Sequence, residues 1–398
     1  MEVFGNIVVY IIMFCAVVGA ISSIVNEKSE LGQQFLEGFN SIGAIFLPVA
    51  GIMASAPYLT KIVSSVFGPA FSLVGADPAM AATTFIAVDM GGYNLAQALA
   101  QTKESWIMAM TTGYMAGATI VFSIPVALKM LQPEDRKYLA LGMLSGFVSI
   151  PLGVFTSSAI IAFSNPMIRE AVSTNAELTY QLQLGFGQIF KNLIPLIIIC
   201  ALLAIGLFFF PKQMIKGFNI FGKVLDSALR IVVVLCVVEY FTGIFSKLFG
   251  SWGFEPIIAD EQDINRALEV SGAIGIMLCG AFPMVYLIKK YLAKPLKFIG
   301  DKIGLSQDTT TGILACSANA LALFAIIKDM KPEDKVRTLS FCVCGAFLFG
   351  DHLAFTANYQ PSLILPVMLG KLVAAVVAVI FANTIIIPKV MKKAEAKA

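Results

Sequence analysis

Nine runs of roughly 20 mostly apolar residues constrain this chain more than any motif in it. They begin near Asn6, Ser41, Ser105, Tyr138, Phe186, Asn219, Ala267, Val336 and Leu363. Helices of that length can cross the hydrocarbon core of a bilayer. Only 13% of the residues are charged, where soluble domains carry about 25%. The expected fold class is an all-α polytopic membrane protein with the lipid bilayer as its surroundings. Met1-Glu2-Val3 lacks the basic start and cleavage site of a signal peptide, so the first run is expected to remain a helix. The seven cysteines lie inside apolar runs without zinc or disulfide spacing. They read as small buried hydrophobes, and no metal or cofactor is expected.

Two further stretches, about 78–102 and 306–328, are apolar but interrupted. The first contains Thr83 to Gln97, with Asp89, Gly91, Gly92, Tyr93 and Asn94 where a membrane helix should be greasy. Two consecutive glycines weaken a helix by roughly 1 kcal/mol each. Broken backbone at membrane depth is tolerated only where protein or a water-filled cavity surrounds it. An ionisable residue there marks a candidate functional site. Each interrupted stretch follows a short segment expected not to cross, Lys61 to Gly75 and the lysine-rich Lys289 to Lys302. The second of these fits an amphipathic helix lying in the interface.

The two halves of the chain are alike. Pro57 and Pro69 match Pro283 and Pro295 at one offset. At an offset two residues longer, Gly117 matches Gly345, Gln132-Pro133 matches Gln360-Pro361, and Leu141-Gly142 matches Leu369-Gly370. In this register Asp89-Met90-Gly91 falls on Ser317-Ala318-Asn319, and Ser123-Ile124-Pro125 on Asp351-His352-Leu353. Paired interruptions of this kind point to a transporter site.

Basic residues gather at 129–137, 212–223, 289–302, 328–337 and in the tail from Lys389. The loop from 248 to 265 is acidic instead. If the basic regions are cytoplasmic, residues 306–328 have both ends inside and must be re-entrant, and the C-terminus is cytoplasmic. Residues 26–40, expected as an inside loop, fit this topology poorly. The expected organisation is a first repeat over 1–165, a linking helix over 166–212 and a second repeat over 213–398. That gives two inverted-topology repeats of an elevator-like carrier, with about nine spans and two hairpins. Eleven plain spans are the alternative.

Asp89 is the strongest candidate for a substrate-binding group, because a carboxylate at membrane depth calls for a cationic partner. Gly91, Gly92, Tyr93 and Asn94 accompany it, and Tyr93 offers either a ring face to an ammonium group or a hydroxyl. Ser123, Ser317, Asn319, Asp351 and His352 complete the expected substrate site from the other interruptions. His352 is the only histidine in the chain, and its side chain titrates near neutral pH. Asp351, His352 and Glu239 are therefore candidates for a coupling ion. The Asp226/Arg230 spacing suits a structural ion pair.

No phosphate-binding glycine loop, zinc spacing or nucleophile elbow is present, so the chain does not read as an enzyme. Without a Walker motif, ATP is not its energy source. Nothing in it implies a nucleic-acid partner.

Asp89-Met90-Gly91-Gly92, Thr119 to Leu128 and Asp135 to Gly142 resemble the ethanolamine-utilisation transporter family, EutH. So does Gly350-Asp351-His352-Leu353, followed by Gly370-Lys371-Leu372. The resemblance covers nearly the whole chain. It implies a multi-pass bacterial inner-membrane permease that brings ethanolamine into the cell to feed ethanolamine ammonia-lyase in a microcompartment. Elevator analogy adds a homo-oligomer. A ligand-sensing membrane protein, or an amine channel without coupled transport, are the alternatives.

Overall fold

A computed structural model describes residues 1–302 and 304–391. Two long helices lead, α1 (Glu2–Val25) and α2 (Glu30–Ala54). The Ser29 side chain caps α2 by accepting from Gly32 N at 3.0 Å. Residues 30–40 are therefore helix rather than loop, and only 26–29 link α1 to α2.

The short helices α3 (Ala56–Val66) and α4 (Gly68–Leu73) precede α5 (Ala79–Phe85), a 3₁₀ turn (Val88–Met90) and α6 (Gly92–Leu99). Next, α7 (Lys103–Thr112) runs through a π-helical stretch (Gly113–Ser123) into α8 (Ile124–Met130). Pro125 stands in the first turn of α8, where its missing N–H is tolerated. The interruption expected there takes the form of this wider helix and not of a break. A 3₁₀ turn (Pro133–Asp135) leads into α9 (Arg136–Ser164).

Two antiparallel strands follow, β1 (Met167–Arg169) and β2 (Leu178–Gln181), and then α10 (Phe186–Phe209). The segment 166–212, expected as a helix alone, thus begins with a β-hairpin. The chain continues through α11 (Pro211–Thr242), α12 (Ile244–Phe249) and α13 (Ala267–Lys302). No separate interfacial helix begins at Lys289. The lysine-bearing segment continues α13, with Pro283 and Pro295 inside it. At 1.5 Å per residue a helix of 36 residues is about 54 Å long, more than a ~30 Å hydrocarbon core. Its lysine end therefore projects past that core when the apolar part spans it.

The last part holds α14 (Gln307–Ala318), α15 (Ala320–Ile326), α16 (Pro332–Gly345), α17 (Asp351–Tyr359) and α18 (Ile364–Phe381). A π-helical stretch (Ala382–Met391) closes the described chain.

Among the described residues, 7 helical stretches are long and apolar enough to cross a membrane. They are α1, α2, the α7–α8 run, α9, α10, the first part of α13, and α18 with its extension. The runs expected from Asn219 and Val336 lie in α11, which carries charges along its length, and in α16–α17, which is broken. The apolar window of Lys103–Met130 is 89% buried, whereas that of α1 is 17% buried. The α7–α8 run is therefore central and α1 peripheral. Val3, Tyr10, Phe14 and Ile24 of α1 are exposed, as lipid-facing positions would be. The core is closed by α2 packed on α13, and by α9 packed on α10, α16 and α18. All seven cysteines are free and buried.

Candidate functional site

Both interrupted stretches are helical hairpins whose ends are tied together. At the first, α5 packs on α6. Asp77 Oδ1 accepts from Ala79 N and Oδ2 from Gln101 N, each at 2.9 Å. Asp77 N donates to Asn192 Oδ1 on α10 at 2.8 Å. One carboxylate thus joins the two ends of the stretch. At the second, α14 packs on α15. Thr309 Oγ1 donates to Asp334 Oδ1 at 2.7 Å, and Lys335 Nζ donates to the Lys328 carbonyl at 3.1 Å. Two consecutive residues of α16 therefore hold its start and its end. Lys335 is also paired with Asp135 at 2.6 Å.

The tips differ in build. Ile86 and Ala87 are extended, the 3₁₀ turn follows, and Gly91 takes φ +92°. A Cβ at Gly91 would lie 2.7 Å from Ile52 Cγ2, so handedness and space both require glycine. Gly92 N donates to the Ala87 carbonyl at 3.0 Å and closes the turn that presents Asp89. The second hairpin reverses at Asn319 alone, whose side chain accepts from Leu321 N at 2.9 Å and caps α15.

The second tip is stitched to the break between α16 and α17. Phe347 N donates to the Cys316 carbonyl at 3.1 Å and Phe349 N to the Ser317 carbonyl at 2.8 Å. These are end carbonyls of α14, which have no partner within their own helix. A Cβ at Gly350 would fall 2.2 Å from the Ala318 carbonyl oxygen. The close approach carries Asp351 and His352 beside Asn319.

Between the tips lies a cavity of about 240 Å³. Asp89, Asn319, Asp351 and His352 line it, with Glu37 and Asn40 of α2. Among the described residues, no other residue donates a hydrogen bond to the carboxylate of Asp89 or Asp351. His352 Nδ1 is buried without a partner. Its ring packs 4.9 Å from that of Tyr114 and 5.3 Å from that of Phe347. A cavity with two unpaired carboxylates and an open imidazole nitrogen suits a small cation that also carries a hydrogen-bonding group.

Tyr93 lies behind this cavity and not in its lining. It is fully buried and stacks on Trp106 at 4.7 Å between ring centroids. Trp106 Nε1 donates to the Tyr93 carbonyl at 3.0 Å. Gln360 Nε2 donates to Tyr93 Oη at 2.8 Å and to the Arg169 carbonyl at 2.9 Å. Arg169 N donates back to Gln360 Oε1 at 3.0 Å, and its guanidinium donates to the Asn358 carbonyl. Ser362 Oγ donates to the Met167 carbonyl at 2.6 Å. Tyr180 Oη of β2 donates to Glu104 at 2.8 Å, and that bond to a carboxylate raises the tyrosine above its ordinary range. The β-hairpin thus fastens α6 to the end of α17.

The remaining expected residues are dispersed. Gly91 and Gly92 shape the tip, and Asn94 is half-buried on α6, outside the lining. Ser123 is buried at the end of the π-helical stretch. Ser317 Oγ donates to the Ile313 carbonyl of its own helix at 2.8 Å. Glu239 accepts from Phe245 N at 2.8 Å and Ser246 N at 3.2 Å, which holds the start of α12. Asp226 and Arg230 are paired at 3.1 Å.

Four residues of the site's surroundings escape a sequence reading that centres on the interruptions. Glu37 is hidden by treating 26–40 as loop, and Arg169 by overlooking the β-hairpin. Gln360 stands in the repeat match with Gln132 but has no evident role there. Lys371 is the lone charge in the apolar run Ile364–Phe381, a signal that was available. It is fully buried, and its Nζ donates to the Tyr114 carbonyl at 3.0 Å.

The fold and cavity define a class: a polytopic helical membrane protein with a polar cavity where its central helices are interrupted. The chain belongs to the family described as Ethanolamine utilisation protein, EutH, which it matches over residues 4–385. It is 39% identical over 394 residues to the "Probable ethanolamine permease EutH" of Listeria monocytogenes, covering 99% of this chain and 97% of that one. The protein of the same name from Escherichia coli is 36% identical over 399 residues, with 94% of each chain covered. YxeR of Bacillus subtilis, named as uncharacterized, is 32% identical over 378 residues, covering 94% of this chain and 93% of that one. No solved structure matches the chain.

Proposed function

We propose that this protein carries ethanolamine across the bacterial inner membrane, binding it in the cavity between the two hairpin tips. The observation that carries the reading is the pair of carboxylates, Asp89 and Asp351, that face this cavity with no donor from any other described residue. Ethanolamine is a primary amine, protonated at neutral pH much as a lysine is. In this reading Asp89 takes the ammonium group, while His352 Nδ1 and Asn319 serve the hydroxyl. The names of the relatives, probable ethanolamine permeases, support the same substrate.

The two hairpins act as re-entrant elements of two inverted repeats, with elevator-like movement of the site. In support, similar elements recur in order after each hairpin: an interrupted helix, a 3₁₀ turn at Pro133 or Pro361, and a long helix. The cavity adjoins one groove containing Lys129 and Arg230 and another containing Lys289. Lysine-rich ends are cytoplasmic. With these grooves on the lysine-bearing side, the arrangement is read as a carrier open to the cytoplasm. The C-terminus is assigned to the same side. Its basic residues Lys392, Lys393 and Lys397 lie outside the described residues. Asp351 and His352 are the coupling-ion candidates in the cavity, since Glu239 is engaged with α12. We assign the protein to a homo-oligomer by the same elevator reading.

Uptake of labelled ethanolamine into proteoliposomes, with and without proton or sodium gradients, tests this function. Saturable uptake with counterflow is expected. Gradient-driven accumulation would make Asp351 and His352 ion sites, and equilibration alone would mean facilitated diffusion. Unsaturated, very fast flux would replace the carrier with a channel. Binding without flux would leave a sensor.

A further inference from the structure

Lys371 poses a physical problem. An ammonium group fully removed from solvent is destabilised by several kcal/mol unless it is paired. Lys371 is fully buried, yet no carboxylate comes within ion-pair distance of it among the described residues. Among the described residues its hydrogen-bond partner is the Tyr114 carbonyl at 3.0 Å, in the π-helical stretch. An ammonium has three donors.

One of the carboxylates that line the cavity, Asp89, stands on a neighbouring element. The tip that bears Asp89 lies directly against the same π-helical stretch: a Cβ on Gly117 would fall 2.2 Å from the Ile86 carbonyl oxygen, and one on Gly113 3.2 Å from Val88 N. Lys371 is bonded to this same stretch through the Tyr114 carbonyl, one residue from Gly113. Its four-carbon stem is flexible and its head is a compact point charge. The core therefore holds a resident ammonium on the same π-helical stretch that packs against the tip bearing Asp89, the carboxylate read as the substrate's ammonium site.

Tyr114 links the two. Its hydroxyl is 2.6 Å from Thr356 Oγ1, which donates to the His352 carbonyl at 2.7 Å. The His352 ring packs on Tyr114 and lines the cavity. The His352 ring thus connects the cavity to the residue whose carbonyl holds Lys371.

We propose that Lys371 is the internal cation of the empty carrier, moving from the Tyr114 carbonyl onto Asp89 when the substrate ammonium leaves. This rests on the reading of Asp89 as the substrate's ammonium site. A lone buried carboxylate is costly to carry across a membrane. Substrate neutralises Asp89 in the loaded carrier, and Lys371 neutralises it in the unloaded one. Lys371 is then a positioning residue for the return step, without contact to bound substrate.

The test separates two fluxes in proteoliposomes. Exchange, labelled ethanolamine entering vesicles preloaded with unlabelled ethanolamine, needs only the loaded carrier to move. Net uptake into empty vesicles also needs the unloaded carrier to return. In Lys371→Met, the ratio of net uptake to exchange should fall by about tenfold or more, with exchange within about threefold of wild type. Lys371→Gln, which is one atom shorter but keeps a hydrogen-bond donor, serves if the methionine variant does not fold. Its ratio should fall likewise. An unchanged ratio in a folded variant overturns the proposal, as does an equal loss of both fluxes. Wild-type protein that moves no ethanolamine in either assay removes the transport reading itself, and this proposal with it.

Discussion

The two hairpin tips lie across one cavity but are built differently. The first spends six residues, Ile86 to Gly91, on its reversal and includes an acid, a 3₁₀ turn and a left-handed glycine. Behind it, Tyr93 is locked by Trp106, Gln360 and Arg169. The second reverses at Asn319 alone, is neutral, and is followed by Leu321, which is 38% exposed. A charge in a membrane core must be held where its partner will arrive, so the elaborate tip bears the acid. A one-residue reversal is held by its own cap and by the bonds from Phe347 N and Phe349 N, and is free of charge. In the proposed carrier the first tip holds the ammonium group, and the second, which serves the hydroxyl, yields.

Substitutions at the two tips can break this comparison. Gly91→Val should have the largest effect, because its side chain must adopt φ +92° against Ile52. Strain and overpacking of that kind cost on the order of 2–4 kcal/mol. A lowered unfolding temperature and lost uptake should both follow. Arg169→Ala comes next. It removes the guanidinium bond to the Asn358 carbonyl, worth about 2 kcal/mol for a charged donor. Faster amide hydrogen exchange in α6 and at the end of α17 would report the loosened fastening. Asn319→Ala removes one cap, about 1 kcal/mol, and uptake should fall by no more than about tenfold. An effect as large as that of Gly91→Val would abolish the distinction between the tips.

The smallest effect is expected far from both. In the acidic loop, the amides of Asp263 and Gln262 bond to Asp260 and hold its carboxyl below the ordinary range. A depressed carboxyl stabilises the loop above the ordinary Asp value of about 3.9. That contribution is lost as the pH falls through the depressed value. Asp260→Asn should leave neutral-pH uptake unchanged. It should also reduce the rise in loop protease sensitivity as the pH falls below the ordinary Asp value of about 3.9.

Features that change the local rules of a membrane helix were legible in the sequence. Asp89 with Gly91-Gly92, and Asn319 in an apolar run, mark interruptions that the structure also contains. Composition alone indicated the helical class. What stayed hidden depends on contacts between distant segments. Asp77 tying residues 79 and 101 has no sequence signature, nor has the β-hairpin reaching Gln360. Tyr93 reads equally as ligand or packing group until Trp106 is seen stacked on it. Lys371 and Glu37 were visible as charges, but nothing local said which elements they face.

The most direct test of the central claim is equilibrium binding of labelled ethanolamine to purified wild-type protein and to Asp89→Asn. The asparagine keeps shape and hydrogen bonding but removes the charge. Affinity should fall by about a hundredfold or more, since the loss of one partner of a buried charge pair costs about 3–5 kcal/mol. Wild-type affinity in a folded Asp89→Asn protein would contradict the claim that the first tip holds the ammonium group.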